Sequence, residues 1–298
     1  PTIGGTRMII NGAGFGPPTT CLTCKDDDKC ELCVSGMCHD DGASFLPEAM
    51  YGSEGDSEKN VAQCCEVISD SRITCLSAEG TGKNHFWNVH IAGQRSPSLQ
   101  FETSYSPPTI SEFKPRKTAS GANTLGHEEI IIKGNNFGPR KSQALEAVSF
   151  GPQNGTKYSI PLESCFVENH QTIRCMTVES AGYGLKWKLV IDGQPSTSPT
   201  TAYGKPVLTR FENETNVTML PSWSASPDGG DTVEIVGANF GPTEDRWGGE
   251  IFLDEVTYGP FENTRFFKAY SCKVVDASVR IRCKMTDGVG TNLYWRVT

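Results

Sequence analysis

The chain has 298 residues, a formal net charge of −8, 37% hydrophobic residues, 31 Gly and 18 Pro. The acidic balance argues against a nucleic-acid partner, because a phosphate backbone is bound by clustered Lys and Arg. The Gly and Pro content disfavours long helices and fits many short strands joined by turns.

No apolar run approaches the roughly 18 residues that cross a bilayer, so no membrane span is expected in this segment. Nor does the stretch after Pro1 show the basic and apolar regions of a signal peptide, so none is expected within the chain.

From the N-terminus, the first predicted element is a strand with Met8 and Ile10 on one face. It runs into the turn Asn11-Gly12-Ala13-Gly14-Phe15-Gly16-Pro17. The same arrangement returns twice. Ile130 and Ile132 precede Lys133-Gly134-Asn135-Asn136-Phe137-Gly138-Pro139, and Val233 and Ile235 precede Val236-Gly237-Ala238-Asn239-Phe240-Gly241-Pro242. Each copy predicts an inward-facing strand, then a glycine-dependent turn whose Phe drops back into the core.

Next comes a stretch at about 18–62 without counterpart elsewhere. It holds Cys21, Cys24, Cys30, Cys33 and Cys38. The Cys21-x2-Cys24-x5-Cys30-x2-Cys33 spacing superficially suggests zinc, but five residues between the pairs is short for a two-knuckle site. With Cys64 these make six cysteines, an even number, and three further disulfides are the preferred reading. Asp26-Asp27-Asp28 and Asp40-Asp41 lack the EF-hand spacing and are read as a solvated acidic face.

A second repeated signature follows. Cys75, Gly82 and Trp87 match Cys175, Gly182 and Trp187, and match Cys283, Gly290 and Trp295, with Gly seven and Trp twelve residues after the Cys each time. Alternation then predicts strands through Trp87, Val89 and Ile91, through Trp187, Leu189 and Ile191, and through Trp295 and Val297. Gly93-Gln94 and Gly193-Gln194 close the first two copies. The Trp is read as core. A preceding cysteine completes each unit, so bridges are expected at Cys65–Cys75, Cys165–Cys175 and Cys272–Cys283, with separations of ten, ten and eleven. Gly80-Thr81-Gly82-Lys83 lacks the full phosphate-loop pattern and is a repeated turn.

Between units, Pro108-Thr109-Ile110-Ser111-Glu112-Phe113 and Pro206-Val207-Leu208-Thr209-Arg210-Phe211 read as proline-started first strands. Three modules result, at 1–107, 108–205 and 206–298. The Ser/Thr/Pro-rich stretches before these strands read as solvated linkers or carriers of O-linked sugar. Sequons at Asn154, Asn213 and Asn216 predict N-linked glycans. His39, His85, His90, His127 and His170 show no ligand spacing. No catalytic residue, metal or cofactor is expected.

The Gly-x-x-Phe-Gly-Pro turn, in modules of this length opening Pro-x-Ile/Leu-x-x-Phe, resembles the IPT/TIG domain. The later Cys-x6-Gly-x4-Trp segment resembles tandem IPT/TIG arrays in large surface proteins of protists and algae. The resemblance implies an all-β, immunoglobulin-like sandwich in each module and says little about function.

The functional expectation is a non-enzymatic, structural or adhesive module array, outside the cell or on its surface, in a rod-like or filament-forming glycoprotein. The alternative is a receptor ectodomain that recognises a partner through the module 1 insertion. Module 1 spends only 11 residues from Pro1 to Gly12, against 26 and 31 for the matching stretches of modules 2 and 3. After Trp295 only three residues follow. Module 1 is therefore expected to lack its first strand and module 3 its last. Either the segment belongs to a longer array, or like subunits supply the strands head to tail.

Overall fold

A computed structural model of the chain describes residues 1–21, 32–34, 37–39, 47–97, 102–115, 121–197, 200–213, 218–219 and 224–298; for 20–21, 32–34, 37–39, 115 and 200 only the backbone is described. The architecture is all-β. It consists of immunoglobulin-like sandwiches in tandem, each closing an apolar core between two antiparallel sheets.

The first sandwich contains β1 (Arg7–Asn11), β5 (Glu48–Gly52), β6 (Asn60–Val61), β7 (Gln63–Ser69), β8 (Arg72–Leu76), β9 (Phe86–Ile91) and β10 (Gln94–Arg95). Its sheets run β1-β8-β7 and β10-β9-β5-β6. A separate small sheet, β2 (Thr19–Cys21), β3 (Leu32–Val34) and β4 (Met37–His39), belongs to the Cys-rich stretch.

That stretch is shorter than the 18–62 expected from sequence. Glu48–Gly52 is a central strand of the first sandwich, with Ala49 and Tyr51 buried in its core. Its sequence Glu-Ala-Met-Tyr-Gly carries no alternation, and every residue after Glu48 is buried, so no period-two signal set it apart from the neighbouring Cys-rich stretch.

The second sandwich contains β11 (Thr109–Pro115), β12 (Glu129–Asn135), β13 (Leu145–Gly151), β14 (Tyr158–Ile160), β15 (Cys165–Asn169), β16 (Thr172–Met176), β17 (Leu185–Ile191), β18 (Gln194–Pro195) and β19 (Thr200–Thr201). The third contains β20 (Val207–Glu212), β21 (Thr232–Ala238), β22 (Val256–Gly259), β23 (Phe267–Lys268), β24 (Tyr270–Asp276), β25 (Arg280–Lys284) and β26 (Tyr294–Val297). Their first sheets have one order, β11-β12-β16-β15 and β20-β21-β25-β24. Among the described residues the first sandwich has three strands in this sheet. In the second sheets, β17 of the second sandwich is paired by β18 and β19 as well as β13, whereas among the described residues β26 of the third pairs with β22.

Each core is built on one stacked aromatic pair. Trp87, Trp187 and Trp295 lie opposite Tyr51, Phe150 and Tyr258 in register. Their ring centroids are 4.1, 5.1 and 4.4 Å apart. Such contacts add about 0.5–1.5 kcal/mol beyond the area they bury. Tyr51, Phe150 and Tyr258 are each followed by Gly, a third repeated signature that the sequence carries.

Disulfides join Cys65 to Cys75, Cys165 to Cys175 and Cys272 to Cys283 across β7/β8, β15/β16 and β24/β25, with Cα atoms 4.1 Å apart in each. The separation of eleven in the third has a local cause. Its hairpin pairs Asp276 with Arg280, where the first and second pair Ser69 with Arg72 and Asn169 with Thr172. The added residue lies in the turn that carries Ser278, at φ 63°. Cys64 is disulfide-bonded as well. The side chains of Cys21, Cys24, Cys30, Cys33 and Cys38 lie outside the described residues. Disulfides of this number belong to an oxidising environment, that of secreted and surface proteins.

Candidate functional site at the module junctions

The repeated signatures converge where one sandwich meets the next. Residues Thr103, Tyr105, Pro108, Ile110 and Phe113 recur at identical spacing as Thr201, Tyr203, Pro206, Leu208 and Phe211. Each set is one extended segment that completes two sandwiches.

Its first half belongs to the preceding sandwich. Thr103 and Thr201 accept the indole N–H of Trp87 and Trp187 at 2.8 and 2.6 Å. The hydroxyls of Tyr105 and Tyr203 donate to the carbonyls of Ala78 and Val178 at 2.7 and 3.0 Å. Their backbone N–H groups donate to Gly82 and Gly182, at 2.9 Å in both.

Its second half is the first strand of the following sandwich. Ile110 lies opposite Gly134 and Leu208 opposite Gly237, each followed by a bulge. Phe113 and Phe211 then bring their rings to 5.0 and 5.4 Å from Trp187 and Trp295. Between the halves, the Asn136 and Asn239 amides donate to the carbonyls of Pro107 and Lys205 at 3.1 and 3.0 Å. These are the Asn residues of the two Asn-Phe-Gly-Pro turns, in left-handed conformation at φ 62° and 61°. Asn tolerates that region better than most residues. The segment acts as a staple: drawing it out of either sandwich leaves buried backbone groups unpaired.

The sandwich ends also touch directly. Gly138, at φ 91°, leaves room for the Thr81 methyl of the preceding sandwich, which a Cβ would meet at 2.6 Å. Gly241 stands in the same relation to Ala181 at 3.1 Å. Thr81 and Ala181 occupy the same place in the Cys-x6-Gly turn. The Phe-Gly-Pro turn of one sandwich thus seats on the glycine turn of the one before.

Polar contacts surround this seat. At the first junction Asp192 accepts from Lys59 at 2.7 Å and from Thr81 at 2.9 Å. His170 meets Thr2 at 2.9 Å and Glu79 at 3.2 Å, and the Gln194 amide donates to the Tyr105 carbonyl at 2.9 Å. At the second, Glu250 pairs with Lys157 and accepts from Tyr158. The Trp247 indole donates to the Glu179 carbonyl at 2.9 Å. Thr124 donates to Ser278 at 2.6 Å. The added turn residue of the third sandwich is therefore a junction contact.

Asp192 reaches Lys59 from the tip of the β17–β18 hairpin, a two-residue turn in which Asp192 and Gly193 both have positive φ, at 49° and 73°. Burial pushes its carboxyl up, but hydrogen bonds from Lys59 and Thr81 outweigh this and hold it below the usual carboxylate range. Buried His85, beside it, is held below the ordinary imidazole range chiefly by desolvation. Both shifts act in one direction. A carboxyl depressed in the folded state stabilises above its unfolded value and loses that contribution as pH falls. A depressed His favours the unfolded chain on protonation. The first sandwich and its junction are therefore expected to weaken from about pH 6.5 downward through His85, and further below about pH 4 through Asp192. Hydrogen exchange against pH reads both steps, and Asp192→Asn removes the second.

The structure brings the bridge-forming cysteines, the repeated glycines and the repeated Trp together as described. Sequence reasoning missed Thr103, Thr201, Tyr105, Tyr203 and His170. Thr103 and Thr201 lie in stretches read as linker, yet both hydroxyls are engaged by Trp. Their spacing of 98 residues was the available signal. Among the sequons, Asn154 is exposed in the turn after β13 and Asn213 is half-buried, while Asn216 lies outside the described residues. Glycopeptide mass spectrometry of natively produced material is expected to find sugar on Asn154 and on at least one of Asn213 and Asn216. Among the described residues no group of three or more His, Cys, Asp or Glu side chains is placed to hold a metal ion.

Tandem sandwiches locked by shared strands define the class: an immunoglobulin-like module array. No protein-family model matches the chain, and no curated protein matches it. Among solved structures it is similar to the plexin A4 extracellular region, at 13% identity and TM-score 0.27 over 90% of this chain and 30% of that one. A surface glycan-binding protein from Prevotella bryantii gives 14% and 0.35 over 78% and 53%. Invasin, a bacterial integrin-binding protein, gives 15% and 0.25 over 96% and 55%. The chain thus spans about a third to a half of these structures. Identities and scores this low carry no inference about activity or partner.

Proposed function

We propose that the chain is a non-enzymatic extracellular array of IPT/TIG-type modules, with limits near residues 107 and 205, serving as a stiff segment of a surface or filament-forming glycoprotein. The observation that carries this reading is the staple, repeated with the same spacing and the same hydrogen bonds at both junctions. A flexible linker leaves neighbouring modules free to turn. Here, the residues that end one core begin the next, with only Ser106, Pro107 and Pro108 between Tyr105 and Thr109. Conserving geometry at the joints, rather than a cleft within one sandwich, is what a load-bearing or spacing element requires.

Small-angle X-ray scattering and negative-stain imaging of the whole chain test this. The expected particle is elongated and three-lobed, with angles between lobes that vary little from particle to particle. A compact particle, or lobes at widely scattered angles, would overturn the reading.

A further inference from the structure

Three positions flank each module disulfide: the residue after its first cysteine and the two on either side of its second. They hold Glu66, Thr74 and Leu76 in the first sandwich, and Phe166, Arg174 and Met176 in the second. In the third they hold Lys273, Arg282 and Lys284, all exposed. A repeat keeps at matched places what its fold needs, so three cations in one copy alone are not a requirement of the sandwich. Phe166 and Met176 are 50% and 40% exposed although the second sandwich has a neighbour at each end, so the junctions leave this face open.

The three cations line an open groove of about 460 Å³ together with Thr232, Ser271 and Glu244. Lys273 lies opposite Arg282 in register, and Lys284 stands two residues further along β25, about 7 Å away. In a chain of net charge −8 this is a local reversal of sign. Arg282 is held from beneath. The buried Glu234 carboxylate accepts from its Nε at 2.8 Å and from one Nη at 2.6 Å, and from Arg280 at 2.6 Å. Among the described residues neither Lys273 nor Lys284 has an ion-pair partner.

We infer that this groove is a binding site for a sulfated polysaccharide. The site goes beyond the array reading and does not depend on stiff joints. A planar carboxylate is best held by the two-pronged fork of an arginine. The fork of Arg282 is already taken by Glu234, which leaves its remaining nitrogen and two ammonium groups, single donors from different directions. Those suit a tetrahedral sulfate. An acidic peptide would instead dock by adding a strand to the β24 edge. That edge shifts register twice, between Tyr270 and Lys273 and between Val274 and Asp276, with Ser271 at φ 50°. Such bulges interrupt the ladder that a peptide would extend. Thr232 and Ser271 bring hydroxyls to meet those of a sugar, and the Glu244 carboxylate is an acceptor for them. Half-exposed Tyr270, opposite Lys284, offers a ring face to the sugar's apolar side.

The test uses the full chain at physiological salt with dextran sulfate as probe, and with dextran, polygalacturonate and poly-glutamate as comparisons. Dextran sulfate is expected to bind saturably, and dextran not at all. Bound dextran sulfate is expected to slow acetylation of Lys273 and Lys284, read by mass spectrometry, while Lys186 and Lys188 of the second sandwich react as in the free chain. Lys273→Gln with Lys284→Gln is expected to weaken binding about tenfold, the combined effect of two exposed ion pairs. Lys186→Gln with Lys188→Gln removes the same charge at a distance and is expected to change it by less than about twofold. Hydrogen exchange outside the substituted strands reports that each variant keeps its fold. Polygalacturonate bound as tightly as dextran sulfate overturns the inference by removing the preference for sulfate, and poly-glutamate bound as tightly overturns it by making the occupant a peptide. Equal losses from the two double variants, or unchanged acetylation of Lys273 and Lys284, overturn it as well.

Discussion

Replacing Trp187 by Ala is expected to lower the stability of the second sandwich by about 3–5 kcal/mol, the range for removing a buried large aromatic. The ring is 3% exposed and touches three partners. It stacks on Phe150, meets Phe113 of the staple, and donates its indole N–H to Thr201. The change leaves a cavity, takes away the indole donor to the Thr201 hydroxyl, and removes the surface against which both staples close. Because Phe113 enters from the first junction and Thr201 begins the second, exchange protection is expected to fall at both ends of this sandwich before it falls at Tyr51 or Tyr258. Urea unfolding followed by exchange mass spectrometry measures both effects. Trp187→Phe keeps most of the ring and loses the hydrogen bond, so it is expected to cost roughly a third as much.

Gly134→Ala is expected to release the first junction. An added Cβ would lie 1.8 Å from the Thr109 carbonyl oxygen and 2.6 Å from the Phe137 ring. The ring can move, but the strand cannot stay where it is. Overpacking of this kind costs about 1–3 kcal/mol and more against backbone. The expected result is loss of β11 pairing, rapid exchange at Thr109–Pro115, and lobes of the first and second sandwiches that no longer hold a fixed angle in images. The opposing outcome, β11 protected as in the parent chain, would mean that the strand is held by its junction contacts rather than by β12.

Much of the fold is legible along the chain because its signals are local and repeated. Inward alternation marks β12 and β21, the Cys-x6-Gly-x4-Trp spacing marks the strands that carry Trp, and three copies in one register exclude chance. The core role of Trp follows from alternation alone. What stayed hidden has a common cause, that its meaning depends on partners distant in sequence. Tyr51 reads as part of a Cys-rich stretch until Trp87 is seen opposite it. Thr103 and Tyr105 read as linker because no periodicity survives in a segment that changes sandwiches halfway.

The sequence by itself determined the strand type, the glycine turns and the tandem repeat, since each depends on backbone preferences and apolar spacing within a few residues. Only the tertiary structure decided that Asp192, His170 and Ser278 are joint residues, and that the Phe-Gly-Pro and Cys-x6-Gly turns face each other. Those contacts run between sandwiches, as in Lys59 to Asp192 and Thr124 to Ser278. Nothing in the local chemistry of a charged or hydroxyl side chain says which distant surface it will meet; that is settled when the staple brings the two ends together and removes their polar groups from water.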